Sequence, residues 1–290
     1  MLVFSSQAEA FRVTVLMADE GAAFQEFAQT FTSEAQKNNL STQVSQGIPS
    51  LIDTDLIVAV GIKSAVIASN SHLPVLCVLI SKVGFEKLLR ELPSDRNKDN
   101  ISAIYFDQPV KRQIAMITAV LPEAKKIGLL FSASLDMPKY RKAIADKKLG
   151  LREQKLESSD SLYRDLESVL ENSDVLLSIP DAEVYNSLSM RNILLATYRS
   201  KIPLVGFSSG YVKAGALCAV FSTPNQIALQ TVQLTKQFEA TGKLPVAQFP
   251  REFEVLINQQ VANSLGIRVR ENTVLIQEIK AAANTKEGAE

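Results

Sequence analysis

The first two thirds of the chain write one α/β pattern twice. Asp55-Leu56-Ile57-Val58-Ala59-Val60 is an apolar run behind an acidic residue, followed by a small helical stretch and then by His72-Leu73-Pro74-Val75-Leu76-Cys77-Val78. Downstream, Asp174-Val175-Leu176-Leu177-Ser178-Ile179 leads through a helical stretch to Lys201-Ile202-Pro203-Leu204-Val205-Gly206-Phe207. The two halves also open alike, with Phe11-Arg12-Val13-Thr14-Val15-Leu16-Met17 in the first and Lys126-Ile127-Gly128-Leu129-Leu130-Phe131 in the second. Unbroken apolar runs of this kind are strands buried on both faces, so each half is expected to be an open parallel sheet covered by helices. Ligands of such sheets sit outside the carboxyl ends of the strands. Two lobes of this type facing one another make a cleft, a shape that points to binding before catalysis.

At 290 residues there is room for two domains of ordinary size, and 46% apolar with 21% charged residues describes a globular chain with substantial cores. The 31 basic and 31 acidic residues cancel and form no basic block, which argues against nucleic acid as a partner. No stretch reaches the roughly 18 apolar residues of a membrane span, and the absence of Trp removes any hint of a sugar-stacking platform. Met1-Leu2-Val3-Phe4 is a short apolar start, and Ala8-Glu9-Ala10 has the A-x-A form preferred by signal peptidase, just before the first strand. Residues 1–10 therefore read as the tail of an export signal, or as an irregular extension of a cytoplasmic protein. Cys77 and Cys218 lie in apolar strand-like runs, one per half, and are expected to be buried free thiols.

Along the chain, Phe24, Phe27, Ala28, Phe31 and Ala35 recur at helical spacing as an aromatic core stripe. Strands are expected at 41–45, 56–60, 75–79 and 101–106, and helices at 63–69 and 84–92. The polar segment 93–100 reads as a surface loop. In the second half, helices are expected at 110–121, 139–148, 161–172 and 182–200, and strands at 126–131, 151–156, 175–178, 204–206 and 217–221. A helix from Pro224 to Ala240 should end at Gly242. An apolar strand at 254–258, a short helix at 261–265, a final apolar run Val274–Ile279 and a disordered tail, 281–290, complete the reading.

Three blocks carry a family resemblance: Gln113-Ile114 through Leu121-Pro122-Glu123-Ala124-Lys125-Lys126-Ile127-Gly128-Leu129-Leu130; Lys201 to Gly206 with Val212-Lys213-Ala214-Gly215-Ala216-Leu217; and Glu254-Val255-Leu256-Ile257-Asn258 with Ala262-Asn263-Ser264-Leu265-Gly266-Ile267. Together they resemble the substrate-binding proteins of ABC transporters of the tryptophan/tyrosine-binding type. The resemblance implies an α/β protein of two Rossmann-like lobes with parallel sheets, joined by three hinge segments, the type I periplasmic-binding or Venus-flytrap arrangement. By that order the first lobe holds 11–105 plus 224–256 and the second 106–223 plus 257–280. Hinges are then expected near 106–109, 222–223 and 257–260. Such proteins close on a small ligand that favours the closed state. The ligand-facing turns depart from the family pattern. Ala182 stands where the family has Asn, Ser132-Ala133 where it has Asn-Pro, Ile80-Ser81-Lys82-Val83 where it has Asp-Pro-Val, and Ser222-Thr223 where it has an acidic-aromatic pair.

The ligand-binding candidates are Asp19, Glu20, Gly61, Ser64, Ser81, Ser132, Ser134, Asp181, Ser208 and Tyr211. The resemblance makes Gly61 the glycine after the third strand, where backbone N–H groups and a helix N-terminus can hold a carboxylate, with Ser64 the nearest hydroxyl. It makes Asp181 an acid able to hold a ligand ammonium; by position, Asp181 is equally suited to cap the helix that should follow it. Asp19 and Glu20 face the expected cleft or simply favour a helix start. Lys63 pairs with an anion or is a solvated helix lysine. Turn chemistry alone accounts for serines such as Ser208 and Ser209. His72, the only histidine, sits in a loop with nothing of metal-ligand spacing around it.

Phosphate-loop, dinucleotide, zinc-protease and nucleophile-elbow motifs are all absent, and one histidine leaves almost no Ser-His or Cys-His pair. No cofactor or metal is expected. The reading is an exported, periplasmic, monomeric solute-binding protein rather than an enzyme. It would capture a small molecule, an amino acid or related anion, and present it to an ABC permease and ATPase in the inner membrane. The alternative keeps the fold and makes it a ligand-sensing or regulatory module acting on a protein partner.

Overall fold

Five strands form the first sheet: β1 (Arg12–Met17), β2 (Ser41–Ser45), β3 (Leu56–Val60), β4 (Val75–Ile80) and β5 (Ile101–Tyr105), all parallel, in the order β2-β1-β3-β4-β5. The computed structural model from which this is read describes residues 10–47, 53–132 and 135–283. Side chains alternate across the sheet, and both faces of β1, β3, β4 and β5 are largely buried, whereas the edge strand β2 is mostly exposed. Val13, Val15, Leu56, Val58 and Val60 pack with Phe27 and Phe31 of α1 (Ala22–Lys37) and Ile227 and Val232 of α9 (Pro224–Thr241). Leu16, Ile57, Ala59 and Cys77 pack on the opposite face with Ala65 and Ala68 of α2 (Gly61–Ser69) and Phe85 and Leu88 of α3 (Lys82–Glu91). This two-sided burial is why the strands read as unbroken apolar runs. The late helix α9 enters the first lobe through a capping box. Thr223 accepts from the Gln226 N–H, Gln226 reaches back, and Pro224 opens the first turn.

The second sheet contains β6 (Lys126–Phe131), β7 (Gly150–Lys155), β8 (Val175–Leu177), β9 (Leu204–Gly206), β10 (Cys218–Phe221) and β11 (Glu254–Ile257), in the order β11-β10-β9-β8-β6-β7. Read from β7, its parallel strands repeat the order of the first sheet, and β11 is added antiparallel to β10. Its helices are α4 (Val110–Val120), α5 (Met137–Asp146), α6 (Leu162–Leu170), α7 (Met190–Arg199), α8 (Ser209–Ala214), α10 (Gln259–Ser264) and α11 (Asn272–Ala283). Gly128, within the first resembling block, is there for space: a Cβ on it would lie 2.6 Å from the Ser173 hydroxyl. Both cysteines are free and buried; burial pushes the Cys77 thiol up to about 12 and raises Cys218 in the same direction. No helix among the described residues is long and apolar enough to cross a membrane.

The chain divides into two units. One takes in the sequence up to Phe106 with Thr223–Glu252, the other Asp107–Ser222 with the segment from Phe253 onward. Residues 254–256, expected in the first lobe, belong to the second, because β11 completes its sheet against β10. The third crossing is therefore at 252/253, ahead of the expected 257–260. On the second-lobe side, a short polar chain ties the crossings. Gln108 Nε2 donates to Ser222 Oγ at 2.9 Å, Arg112 Nη1 donates to Gln108 Oε1 at 2.6 Å, and the Arg112 guanidinium lies 4.4 Å from the centre of the Phe253 ring.

Three further expectations are corrected. Residues 182–189 form successive turns, and the helix expected from 182 begins at Met190. Residues 281–283 end α11 instead of opening a tail; 284–290 and the export-signal residues 1–9 lie outside the described residues. The polar segment 93–100 is not all surface, because Arg96 is only 6% exposed. Its guanidinium donates to three carbonyls that α2 and the following loop leave open, Ser69 (3.2 Å), His72 (3.4 Å) and Leu73 (2.7 Å). Composition cannot reveal this, since one buried arginine looks like any other charge in a hydrophilic loop. Arg96→Ala should lower the unfolding free energy by about 2–3 kcal/mol in urea titration, because buried carbonyls lose charged donors. Arg96→Lys should recover only part, since an ammonium lacks the fork that spans three acceptors.

Candidate functional site

In an open parallel sheet, the turns outside the carboxyl ends separate where strand order reverses. In the first lobe that point lies between β1 and β3; in the second, between β6 and β8. The turns there carry most of the residues picked from sequence.

In the first lobe, Ser64 is fully buried on α2, and its Oγ accepts the Ala18 N–H at 2.8 Å, fastening the turn after β1 to the helix after β3. Gly61 opens α2 with φ +80°, a left-handed conformation that other residues adopt only with strain. Its open side is not bare: a Cβ there would stand 3.0 Å from the Phe24 ring. Phe24, expected in the core stripe, is half-buried over this turn, whereas Phe27 and Phe31 are fully buried. Asp19 pairs with Lys63 at 2.5 Å, so the two charges at this edge neutralise each other. Glu20 is exposed. Ser81 caps α3, accepting the Gly84 N–H at 3.0 Å, which is a sufficient structural reason for it.

In the second lobe, Ser132 and Asp181 meet directly. The Ser132 N–H donates to Asp181 Oδ2 at 2.7 Å, and the Glu183 N–H donates to Oδ1 at 3.2 Å. Asp181 is 5% exposed and both carboxylate oxygens serve backbone donors. It heads a turn, its carbonyl accepting from Val184 and Tyr185, and no helix follows for it to cap. Ser208 precedes α8 without a side-chain cap bond. Ser134 lies outside the described residues.

Around Asp181 the fold gathers aromatic residues beside Tyr211, three of which the sequence did not single out. Tyr211 packs against Phe207 with ring centres 4.6 Å apart and planes tilted by 46°, and Tyr185 meets Phe207 edge-on at 6.3 Å. Burial pushes the Tyr211 phenol up to about 12. Tyr185 is raised by burial, then by Tyr211 and Asp181; Tyr140 is raised by burial, then by Asp107. Tyr211 is 6% exposed, and its hydroxyl, sealed from solvent, has no hydrogen-bond partner among the described residues. Tyr185 and Tyr140 gave no signal because each sits inside an expected helix, and Phe207 reads as the end of a strand. Only the folded turn brings them to one edge.

The profile of the ABC transporter substrate binding protein family matches residues 17–281. The chain belongs to that family. A tyrosine-binding protein of Clostridioides difficile (strain R20291) is 21% identical over 242 residues, 80% of this chain and 68% of the relative. Among solved structures, the ligand-free, open form of a substrate-binding protein with adhesive properties from Clostridium difficile superposes with a TM-score of 0.71 at 18% identity, covering 91% of this chain and 97% of the other. An ABC domain in complex with L-Trp from Streptococcus pneumonia gives 0.64 at 18% identity, with 92% and 98% covered. At that identity these two structures speak for the fold alone, and the fold is the type I periplasmic-binding arrangement of two α/β lobes.

The phenol cluster makes a pH prediction. Folded Tyr211 keeps its proton to about 12, and Tyr140 and Tyr185 shift the same way, while unfolded phenols titrate near 10.0. Above pH 10 the unfolded chain therefore binds fewer protons, and stability falls as pH rises through that window. Melting temperatures between pH 8 and 11 should be flat at first and then decline, more gently in Tyr211→Phe.

Proposed function

We propose that this protein is the solute-binding component of an ABC transporter, exported and monomeric, a receptor rather than an enzyme. In this reading the carboxyl-end turns of both lobes hold a small molecule. Movement about the crossings at 106/107, 222/223 and 252/253 closes the lobes over it, and the closed form is presented to a permease and ATPase in the inner membrane. Family membership and the doubled sheet order support it. The observation that carries it to a site is the Tyr211 hydroxyl, a buried donor with no acceptor among the described residues, in the turn after β9. An unmade buried hydrogen bond costs about 1–3 kcal/mol, a cost that a ligand bringing an acceptor would remove. The half-buried rings of Phe24 and Phe207 at the corresponding edges add flat apolar surface. With one relative named for binding tyrosine and one structure holding L-Trp, an amino acid or related anion is the ligand class to test first. Asp19, Gly61, Ser132 and Ser208, at the same turns, are the remaining contacts proposed for it.

Refolded, ligand-free protein should show a thermal shift with one class of compound among amino acids, aromatic acids, nucleosides, sugars and small anions. A ligand at 100 times its Kd adds about 2.7 kcal/mol. Tyr211→Phe should weaken that ligand about tenfold while leaving the melting temperature equal or higher; unchanged affinity would remove the hydroxyl from the site. Expressed behind a complete signal sequence, the protein should be recovered from the periplasm, processed before Phe11. Retention of the unprocessed chain in the cytoplasm would refute export.

A further inference from the structure

The two switch points carry the same fastening, made from different residues. In the first lobe, the residue immediately after β1, Ala18, donates its N–H to the Ser64 side chain at 2.8 Å. In the second, the residue immediately after β6, Ser132, donates its N–H to the Asp181 side chain at 2.7 Å. The sheet orders make β1 the counterpart of β6 and β3 the counterpart of β8. Ser64 stands four residues beyond Val60, the end of β3, and Asp181 four residues beyond Leu177, the end of β8. Both acceptors are buried, at 0% and 5% exposure. Everything else differs: Ser64 sits in the first turn of a helix and Asp181 in a chain of turns, one side chain neutral and the other a carboxylate.

We propose that Ser64 and Asp181 are equivalent positioning residues. Each latches the first-strand turn of its lobe to the turn after the third strand and so sets the backbone that a ligand meets. The first-strand turn needs such a fastening because it leaves the ladder where its neighbours diverge, and a backbone N–H in that gap must find an acceptor. A side chain from the adjacent turn supplies one and ties the two turns together. Asp181 does this with Oδ2, while Oδ1 holds the Glu183 N–H at 3.2 Å, so its carboxylate is engaged by backbone on both oxygens. The role in binding rests on the solute-binding reading above; the latch itself does not.

The test therefore has two arms. Amide hydrogen exchange of the ligand-free protein compares wild type with Ser64→Ala and Ser64→Thr. Exchange at Ala18 and its turn should accelerate in Ser64→Ala and return toward wild type in Ser64→Thr, which keeps the hydroxyl. Unchanged exchange in Ser64→Ala would overturn the latch. Calorimetry with L-tyrosine and L-tryptophan forms the second arm. Ser64→Ala should weaken either amino acid by a similar factor, roughly tenfold, because a displaced turn is felt by any ligand. Full affinity in Ser64→Ala would overturn the positioning role. At the second latch, Asp181→Asn keeps an oxygen for the Ser132 N–H, giving up only the longer bond from the Glu183 N–H, and should retain part of the affinity that Asp181→Ala loses. Equal loss in both would make the carboxylate charge a direct ligand contact and overturn the assignment for Asp181. If wild-type protein binds neither amino acid, the proposed ligand class fails, while the exchange arm still decides the latch.

Discussion

A parallel strand covered by helices on both faces has nowhere to place a polar group except in its own ladder, and most of this molecule follows from that. Val13, Leu56 and Val58 face one helical layer, and Leu16, Ile57 and Ala59 the other. Strands β3, β4, β5, β8, β9 and β10 contain no charged side chain, and charges on the others fall on first residues such as Arg12 and Lys126 or on the edge strand β7, so polar chemistry is pushed toward the ends and edges of the sheets. At the carboxyl ends the ladder stops, the helices begin, and strand order reverses. Most of the candidate ligand-binding residues lie at those edges because the buried middle of each sheet excludes them.

What gathers there differs in kind between the lobes. The first presents the α2 turn, with Gly61 in a left-handed conformation beneath Phe24, and a neutralised Asp19–Lys63 pair. The second presents a buried carboxylate among phenols, one of which has no partner for its hydroxyl among the described residues. Burial holds these phenols in their protonated forms, as it does the two thiols within the sheets, so the edge presents hydroxyl donors. Such a setting suits recognition. It fits a family of substrate-binding proteins.

Much of this was legible in the residues. The strands and most helices follow from unbroken apolar runs, helical stripes and the cap at Gly242. The misread segments share a cause: their structure is decided by partners distant in sequence. Residues 254–256 read as a strand in either lobe, and only pairing with β10 places them. The stretch 182–189 has helical composition, yet the Asp181 carboxylate and carbonyl draw it into turns. Arg96 sits in the most hydrophilic segment and is buried because three loop carbonyls needed a donor.

The candidate site divides along the same line. Sequence singled out Gly61, Ser64, Ser132, Asp181 and Tyr211 from their places after strands, since position along the chain tells which residues reach a carboxyl edge. It left Asp181 between ligand contact and helix cap, and it missed Phe24, Tyr140, Tyr185 and Phe207. Only the tertiary structure paired Ser64 with Ala18 and Asp181 with Ser132, and left the Tyr211 hydroxyl without a partner among the described residues. By itself the sequence determined the doubled α/β architecture and the edges at which function can reside, because apolar periodicity is a local property of the chain. The partner of each polar group was decided by folding, because hydrogen bonds join atoms that are near in space and far apart in sequence.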